Sequence, residues 1–296
     1  MTWPRQQRRS GLQYLSTLTA LLDRARLAHP NAGLFDAGEL QWWWASQERP
    51  TDDLDQIFWF DDAGQPEAAV IITAWNASTG FDPIFMPNPA ADWVHHVVRQ
   101  GLDHARTAGF AAVDLEVDPN DEVLRAVLTQ FGFEVEEPGL VESWLAADSR
   151  PVVSPLAPGY ELADRESTAD RPHHMIHARR GHTDPEPRLR QTSLYRADLD
   201  LVVHDRDGST AAYGLFWYNP TTRVGVVEPM RTEDGHQQRG LARHILTSGI
   251  DRLALAGARR IKICFDPHNE GAKHLYLSSG FEPQRTNDLF VGPTGT

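Results

Sequence analysis

The chain has 296 residues, of which 41% are apolar and 23% charged, the composition of a soluble globular protein of one large or two ordinary domains. Its net charge of −13 is lopsided: residues 1–150 hold 23 acidic residues and 10 arginines, whereas residues 151–296 hold 18 of each sign. An acidic surface of this size argues against nucleic acid and anionic membranes as partners, and no run of 18 apolar residues offers a membrane span. A single cysteine, Cys264, excludes an intrachain disulfide, and the basic start (Arg5, Arg8, Arg9) lacks the apolar run of a signal peptide, so a cytoplasmic location is expected.

Taken in chain order, the first notable segment is Trp42-Trp43-Trp44, which cannot all face one core at helical spacing. A hairpin follows, with Gln56–Phe60 and Glu67–Trp75 flanking Asp62-Ala63-Gly64. A helix is predicted over 90–108, closed by Gly109, and then a strand over Ala112–Val117. Asp118-Pro119 opens a turn, and a second helix runs to Gly132.

The same order recurs later. Asp200–His204 and Ala211–Tyr218 flank Asp205–Gly208, and a strand over Arg223–Glu228 leads into Pro229-Met230-Arg231-Thr232. A helix over 240–256 ends at Gly257, a strand follows over Arg260–Phe265, and Asp266-Pro267 begins a turn and helix to Gly280. Residues 101–134 and 249–282 align without a gap at an offset of 148, with ten identities clustered at turns, among them Gly101/Gly249, Gly109/Gly257, Asp118/Asp266 and Gly132/Gly280. The chain is therefore read as a duplicated α/β unit with a mixed sheet. The expected boundaries are 1–146, a Pro-containing linker at 147–158, and 159–296.

Chemistry concentrates in the second copy. Gln237-Gln238-Arg239-Gly240-Leu241-Ala242 stands where a strand turns into a helix. Small residues there let backbone N–H groups approach a diphosphate, the helix N-terminus adds unpaired donors, and Arg239 and Arg243 add positive charge. Downstream lies Asn269-Glu-Gly-Ala-Lys-His-Leu-Tyr276-Leu-Ser-Ser-Gly280-Phe281. These two elements, about 30 residues apart, resemble the GCN5-related N-acetyltransferase (GNAT) family, with its Q/R-x-x-G-x-G/A loop and N-x-x-A-x-x-x-Y-x-x-x-G-F element, over about residues 159–291. Ala242 stands where glycine is commoner in the family.

The resemblance implies an acyltransferase using acetyl-CoA or another acyl-CoA and transferring the acyl group directly to the amine of a small molecule. Met230 and Thr232 would pair with the pantetheine arm beside a bulge that splays the strands. Gln237, Gln238, Arg239, Gly240, Ala242 and Arg243 would hold the pyrophosphate, and Asn269 would help hold the arm. Tyr276 would protonate the departing thiolate, and Glu228 would act as general base. An acyl carrier protein is the alternative donor, and a non-catalytic acyl-CoA sensor the alternative role.

Histidines compete for the base role: His204 on a strand, and His173, His174, His177 and His182 in the 170–195 region expected to meet the acceptor with Trp217 and Tyr218. No cysteine or acidic partner stands at metal-ligand spacing from them, so no metal is expected. Cys264 reads as an inert buried thiol.

At the offset of 148, Gln237, Gly240 and Ala242 fall on Pro89, Asp92 and Val94. Tyr276 falls on Leu128, Asn269 on Asp121, and Glu228 near Gly80, outside the gapless block. Pro89 lacks an N–H, and Asp92 would repel a diphosphate. The first copy is thus expected to be a degenerate GNAT-like domain, an architecture similar to tandem GNAT enzymes of the mycothiol synthase type.

Overall fold

The computed structural model describes residues 3–176 and 184–295. The first elements are β1 (Arg5–Arg9), α1 (Gly11–Ala28), α2 (Ala37–Ser46), β2 (Gln56–Phe60), β3 (Pro66–Ala74), β4 (Thr79–Phe85) and α3 (Ala91–Thr107). Next come β5 (Ala112–Val117), α4 (Glu122–Gln130), β6 (Glu134–Ala146), β7 (Glu161–Asp164) and α5 (Glu186–Leu189). The chain ends with β8 (Asp200–His204), β9 (Thr210–Asn219), β10 (Val224–Thr232), α6 (Leu241–Ala256), β11 (Arg260–Phe265), α7 (Glu270–Leu277) and β12 (Glu282–Pro293). The mixed α/β class expected from the sequence is present, and the elements of the 148-residue repeat recur in the same order. No helix among the described residues is long and apolar enough to cross a membrane.

Two compact units form, and neither is contiguous in sequence. The first comprises 1–37, 48–141 and 285–296; the second comprises 38–47 and 142–284. The boundaries drawn from the repeat, 1–146 and 159–296, therefore need correction. The last strand of each copy has changed places. β12 runs antiparallel to β5, from Asp288 opposite Val117 to Pro293 opposite Ala112, and so belongs to the first unit. The end of β6, residues 142–146, lies beside β11 in the second. Most of α2, with Glu39 and the tryptophans, also belongs to the second unit. Strand pairing has no sequence-distance rule, so periodicity identifies these strands without naming their neighbours.

In the first unit the strand order is β1-β2-β3-β4-β5-β12. Its core joins Ile57, Trp59, Val70 and Phe81 of the sheet to Val94, Val98 and Leu102 of α3. In the second unit the order is β6-β11-β10-β9-β8-β7, and α6 buries His244, Ile245, Leu246, Ile250 and Leu253.

The repeated glycines Gly101 and Gly249 share a physical purpose. A Cβ added at Gly249 would lie 2.1 Å from the Phe216 ring, and one at Gly101 would lie 2.8 Å from Phe81. Each helix thereby comes close enough to its sheet for an aromatic ring to fill the space against bare backbone. Among the three consecutive tryptophans, Trp42 and Trp44 are buried and Trp43 is half-buried; Trp59 is fully enclosed in the first core.

Candidate active site

The site elements of the second unit are β10, α6, β11 and α7. β10 pairs with β9 antiparallel, but the register shifts between Val227 and Met230, which is the bulge expected beside Pro229. The Glu228–Pro229 peptide is cis. On its other side β10 is in parallel register with β11 over Val224–Val226 opposite Arg260–Lys262. Beyond those residues the two strands part, and Glu228 stands at the start of the gap. Trp217 of β9 donates its indole N–H to the Glu228 carbonyl oxygen at 2.8 Å. Thr232, at the end of β10, has its Oγ1 buried without a hydrogen-bond partner among the described residues, so a polar ligand group beside it would meet an available hydroxyl.

The loop after β10 leads to the N-terminus of α6. Gln238 and Gly240 both adopt positive φ, +59° and +78°. Gly240 caps the helix in the left-handed conformation, and the first helical bond runs from His244 N to Gly240 O. The amides of Leu241, Ala242 and Arg243 precede that bond, and Gln237, Gln238, Arg239 and Gly240 are exposed. Arg239 donates to the Tyr160 hydroxyl at 2.9 Å and to the Gly235 carbonyl at 3.2 Å, while Arg243 reaches the Ser278 carbonyl at 3.4 Å. Two guanidinium groups therefore flank an open helix N-terminus, a fit for a diphosphate on both charge and donor geometry.

Tyr276 is buried at 9% exposure between Phe265 and Phe281, with ring centroids 5.6 and 6.3 Å away. Burial, and then the charge of Glu228, push its hydroxyl up to about 12. The phenol stays protonated at neutral pH, the state a proton donor needs. Asn269 acts locally, where its Oδ1 accepts the Ala272 N–H at 3.0 Å and caps α7. Asp121 caps α4 in the same way with Leu124 N at 2.9 Å, so this repeat position carries a helix start in both copies.

One face of β11 bears Lys262, opposite Val226, and Cys264 two residues on. Lys262 is fully buried and pairs with Glu39 Oε2 at 2.8 Å and Glu142 Oε2 at 3.5 Å. Cys264 Sγ lies 3.7 Å from Glu39 Oε1, and burial pushes its thiol well above the ordinary value, against the pull of Lys262. This agrees with an inert thiol rather than a nucleophile.

The histidine region resolves around a carboxylate that sequence spacing did not reveal. Asp200, fully buried on β8, accepts from Tyr195 Oη at 2.9 Å and lies 3.0 Å from His173 Nε2 and 3.1 Å from His174 Nε2. Although burial opposes ionisation, the two histidines hold the Asp200 carboxyl well below the usual carboxylate range. The expectation that these histidines lack an acidic partner is thus corrected. Three potential metal ligands come together here, yet His173 Nδ1 accepts the Met175 N–H at 3.2 Å. That bond places the proton on Nε2, facing Asp200, as a hydrogen-bond clamp requires and a metal ligand does not. His204 has its pKa lowered, first by burial and then by Arg171. His177 and His182 lie outside the described residues. The Tyr195 ring stands edge-on to Trp217 at 6.4 Å, which links the Asp200 clamp to the residue that holds the bulge.

Residues 160–281 match the model of the Acetyltransferase (GNAT) family. They are similar to that family and have its fold. The match covers the bulged strand, the phosphate-type loop and the Asn269–Gly280 element described above. The chain is 29% identical over 167 residues to a mycothiol acetyltransferase of Beutenbergia cavernae, covering 56% of this chain and 46% of that protein. It thus spans about half the length of that relative. Among solved structures, a tandem GNAT protein from the clavulanic acid biosynthesis pathway superposes with a TM-score of 0.72 at 14% identity, covering 99% of both chains. A GCN5-related N-acetyltransferase from Sphaerobacter thermophilus matches at a TM-score of 0.62 and 15% identity, over 100% of this chain and 98% of the other. At these identities the likeness is one of fold, and the fold is that of a tandem GNAT protein.

The GNAT fold also corrects the placement of Glu228 in the repeat. In the first copy β4 is in parallel register with β5 at Gly80 opposite Asp114. In the second, Val226 is opposite Lys262, the repeat mate of Asp114. Gly80 therefore matches Val226, and Glu228-Pro229 matches Asp82-Pro83. The offset here is 146, because the stretch from Val226 to Gly249 is two residues longer than the matching stretch from Gly80 to Gly101. The shared acidic-Pro dipeptide was the available signal in the sequence.

Proposed function

We propose that the second unit is an acyl-CoA-dependent N-acyltransferase, with acetyl-CoA as donor and the amine of a small molecule as direct acceptor. The observation that carries this reading is the exposed N-terminus of α6, flanked by Arg239 and Arg243, directly after a bulged strand that bears Glu228. The α6 amides and the two guanidiniums would hold the pyrophosphate, and Met230 and Thr232 would align the pantetheine arm as an added strand. When bound, acetyl-CoA supplies an acyl group activated as a thioester.

Glu228 takes the proton that the acceptor ammonium must lose, directly or through one water, so that the nitrogen can attack. A backbone N–H near Met230 donates to the carbonyl oxygen that gains charge in the transition state. As the C–N bond forms and the C–S bond breaks, Tyr276 delivers its proton to the leaving sulfur. Glu39, Glu142 and Glu228 all act on Cys264 and outnumber the cation there, Lys262, an excess of negative charge beside β11 that favours a cationic acceptor.

The test is thiol release from acetyl-CoA with a panel of primary amines. Glu228→Gln and Tyr276→Phe should each lower kcat by about 10²-fold or more while leaving coenzyme A binding intact. Turnover with an acylated carrier protein but not with acetyl-CoA would replace the donor. Acetyl-CoA binding with no reactive amine would make the unit a sensor.

A further inference from the structure

The first unit contains a cavity of about 610 Å³. The end of α1 and the loop after it form one wall, β4 and its following loop a second, and the end of β5 with the start of α4 a third. The volume lies within the range of small-molecule sites. The cavity occupies the cleft where β4 and β5 part, since their parallel register is recorded at the single pair Gly80–Asp114.

Asp82 lines this cavity at the place Glu228 takes in the second copy. It is 7% exposed, and its carboxyl has no hydrogen bond or ion pair among the described residues. Its acidic neighbours are accounted for differently. Glu116 accepts from Leu140 N at 3.1 Å and Asn287 Nδ2 at 2.7 Å. Asp118 is paired with Arg285, and Asp121 caps α4. A buried carboxyl with no partner is costly unless something fills the space before it.

The walls say what that something is. Leu22, Leu34, Phe35 and Ile84 supply apolar surface. A diphosphate is disfavoured: Pro89 at the cavity edge has no N–H, and the Asp92 carboxylate sits in the first turn of α3 on the Trp93 amide at 3.0 Å. We propose that this cavity binds a small organic cation, a primary amine whose ammonium pairs with Asp82 while its apolar body lies on Leu22, Phe35 and Ile84. The site is separate from the proposed acyl-transfer site and does not depend on that reading.

Protonation gives the site a signature. Burial first, then Asp114 and Glu116, push Asp82 up to about 8. The free protein at neutral pH therefore keeps a proton that an arriving ammonium displaces. His29, Asp118, Asp121 and Glu122 also border the cavity. A protonated His29 would repel the cation, acting in the same direction as the Asp82 proton. Affinity should rise with pH to about 8 and then level.

The full-length protein would be titrated calorimetrically with n-butylamine, n-hexylamine, phenethylamine and agmatine, with n-hexanol and hexanoate as neutral and anionic controls. At least one amine should bind and the controls should not. Repeating the titration at pH 7 in buffers of different ionisation enthalpy should show proton release, a readout that needs no variant. Asp82→Asn should weaken binding at least tenfold, and Glu228→Gln should leave it unchanged. The proposal falls if no amine binds at 10 mM, if n-hexanol binds as well as n-hexylamine, if no proton is released, or if a folded Asp82→Asn binds like wild type. Loss in Glu228→Gln alone would send the amine to the acyl-transfer unit, overturning this site and leaving the proposed function standing.

Discussion

The Trp217 indole N–H reaches the Glu228 backbone carbonyl oxygen across 2.8 Å, at the residue where β10 shifts register against β9. The bulge is therefore held by a side chain of the neighbouring strand as well as by its own backbone. Gly38 of α2 closes over the same tryptophan, since a Cβ there would lie 2.7 Å from the Trp217 Cβ. Trp217→Phe keeps the ring and deletes the donor. It should cost about 1 kcal/mol of stability, read as a lowered urea midpoint, because the Glu228 carbonyl loses its indole donor. It should also lower kcat for acetyl transfer about tenfold with little change in KM for acetyl-CoA, since about 1.4 kcal/mol of misplacement suffices for that factor. An unchanged kcat would remove Trp217 from the positioning of Glu228.

Tyr276 and Glu228 should be linked in their titrations. The charge of Glu228 adds to burial in holding the Tyr276 hydroxyl up at about 12. An acid must be protonated to act, and a raised pKa keeps it so; activity should therefore show no alkaline loss due to Tyr276 through about pH 11. Glu228→Gln removes the charge and should lower the pH at which the Tyr276 phenolate forms. The difference in ultraviolet absorbance between each protein and its Tyr276→Phe partner would isolate that phenolate. An unmoved titration would mean that Glu228 lies too far away to act with Tyr276.

The close helix–sheet approaches predict an ordered pair of stability losses. Gly249→Ala would press its methyl group into Phe216, whose nearest ring atom would lie 2.1 Å from the new carbon, whereas Gly101→Ala would meet Phe81 at 2.8 Å. Overpacking of this kind costs about 1–3 kcal/mol, and more where the ring cannot retreat. Gly249→Ala should therefore lower Tm more than Gly101→Ala. Equal losses would mean that both sheets yield alike.

What the sequence made legible followed from local rules. The Gln237–Ala242 loop announces itself because only small residues and a left-handed glycine allow that turn, and Gly240 has φ +78°. The Pro229 break pointed to the bulge for a similar reason. The exchange of β6 and β12 was invisible, because alternation names a strand and not its neighbour. Asp200 was missed because it lies 26 and 27 residues from the two histidines it joins, and only the β8 pairing brings it to them. Asp82 was missed because the gapless offset of 148 gives way to 146 at the bulge strand, which put Gly80 in the place of Glu228.

The Asp200 clamp should be visible in acid. Its carboxyl is fully buried, yet the two histidines keep it below the ordinary carboxylate range. A depressed carboxyl contributes stability that is present above the unfolded pKa, about 3.9, and is lost as pH falls through the folded value. The acid limb of wild type should accordingly lie below pH 4. Asp200→Asn removes the charged acceptor of His173 Nε2 and Tyr195 Oη and the carboxylate beside His174, and should cost about 3 kcal/mol at pH 7. Denaturant midpoints across pH 3–7 would test both statements, and a variant as stable as wild type at pH 7 would remove the clamp.

Asp82 makes the opposite prediction. Its folded pKa is raised to about 8 against an unfolded value near 3.9. Ionising a buried carboxyl beside Asp114 and Glu116 is unfavourable, so this group takes stability away as pH climbs from about 4 to about 8, and adds no further slope above. Asp82→Asn carries no titrating group and should flatten that part of the profile, being more stable than wild type at pH 8 and nearly equal to it at pH 4. A saturating amine in the cavity should do the same to wild type by pairing with the carboxylate. Urea midpoints of both proteins at pH 4, 6 and 8, with and without n-hexylamine, would show whether the variant and the ligand act on the same group. Additive effects at pH 8 would mean that they do not.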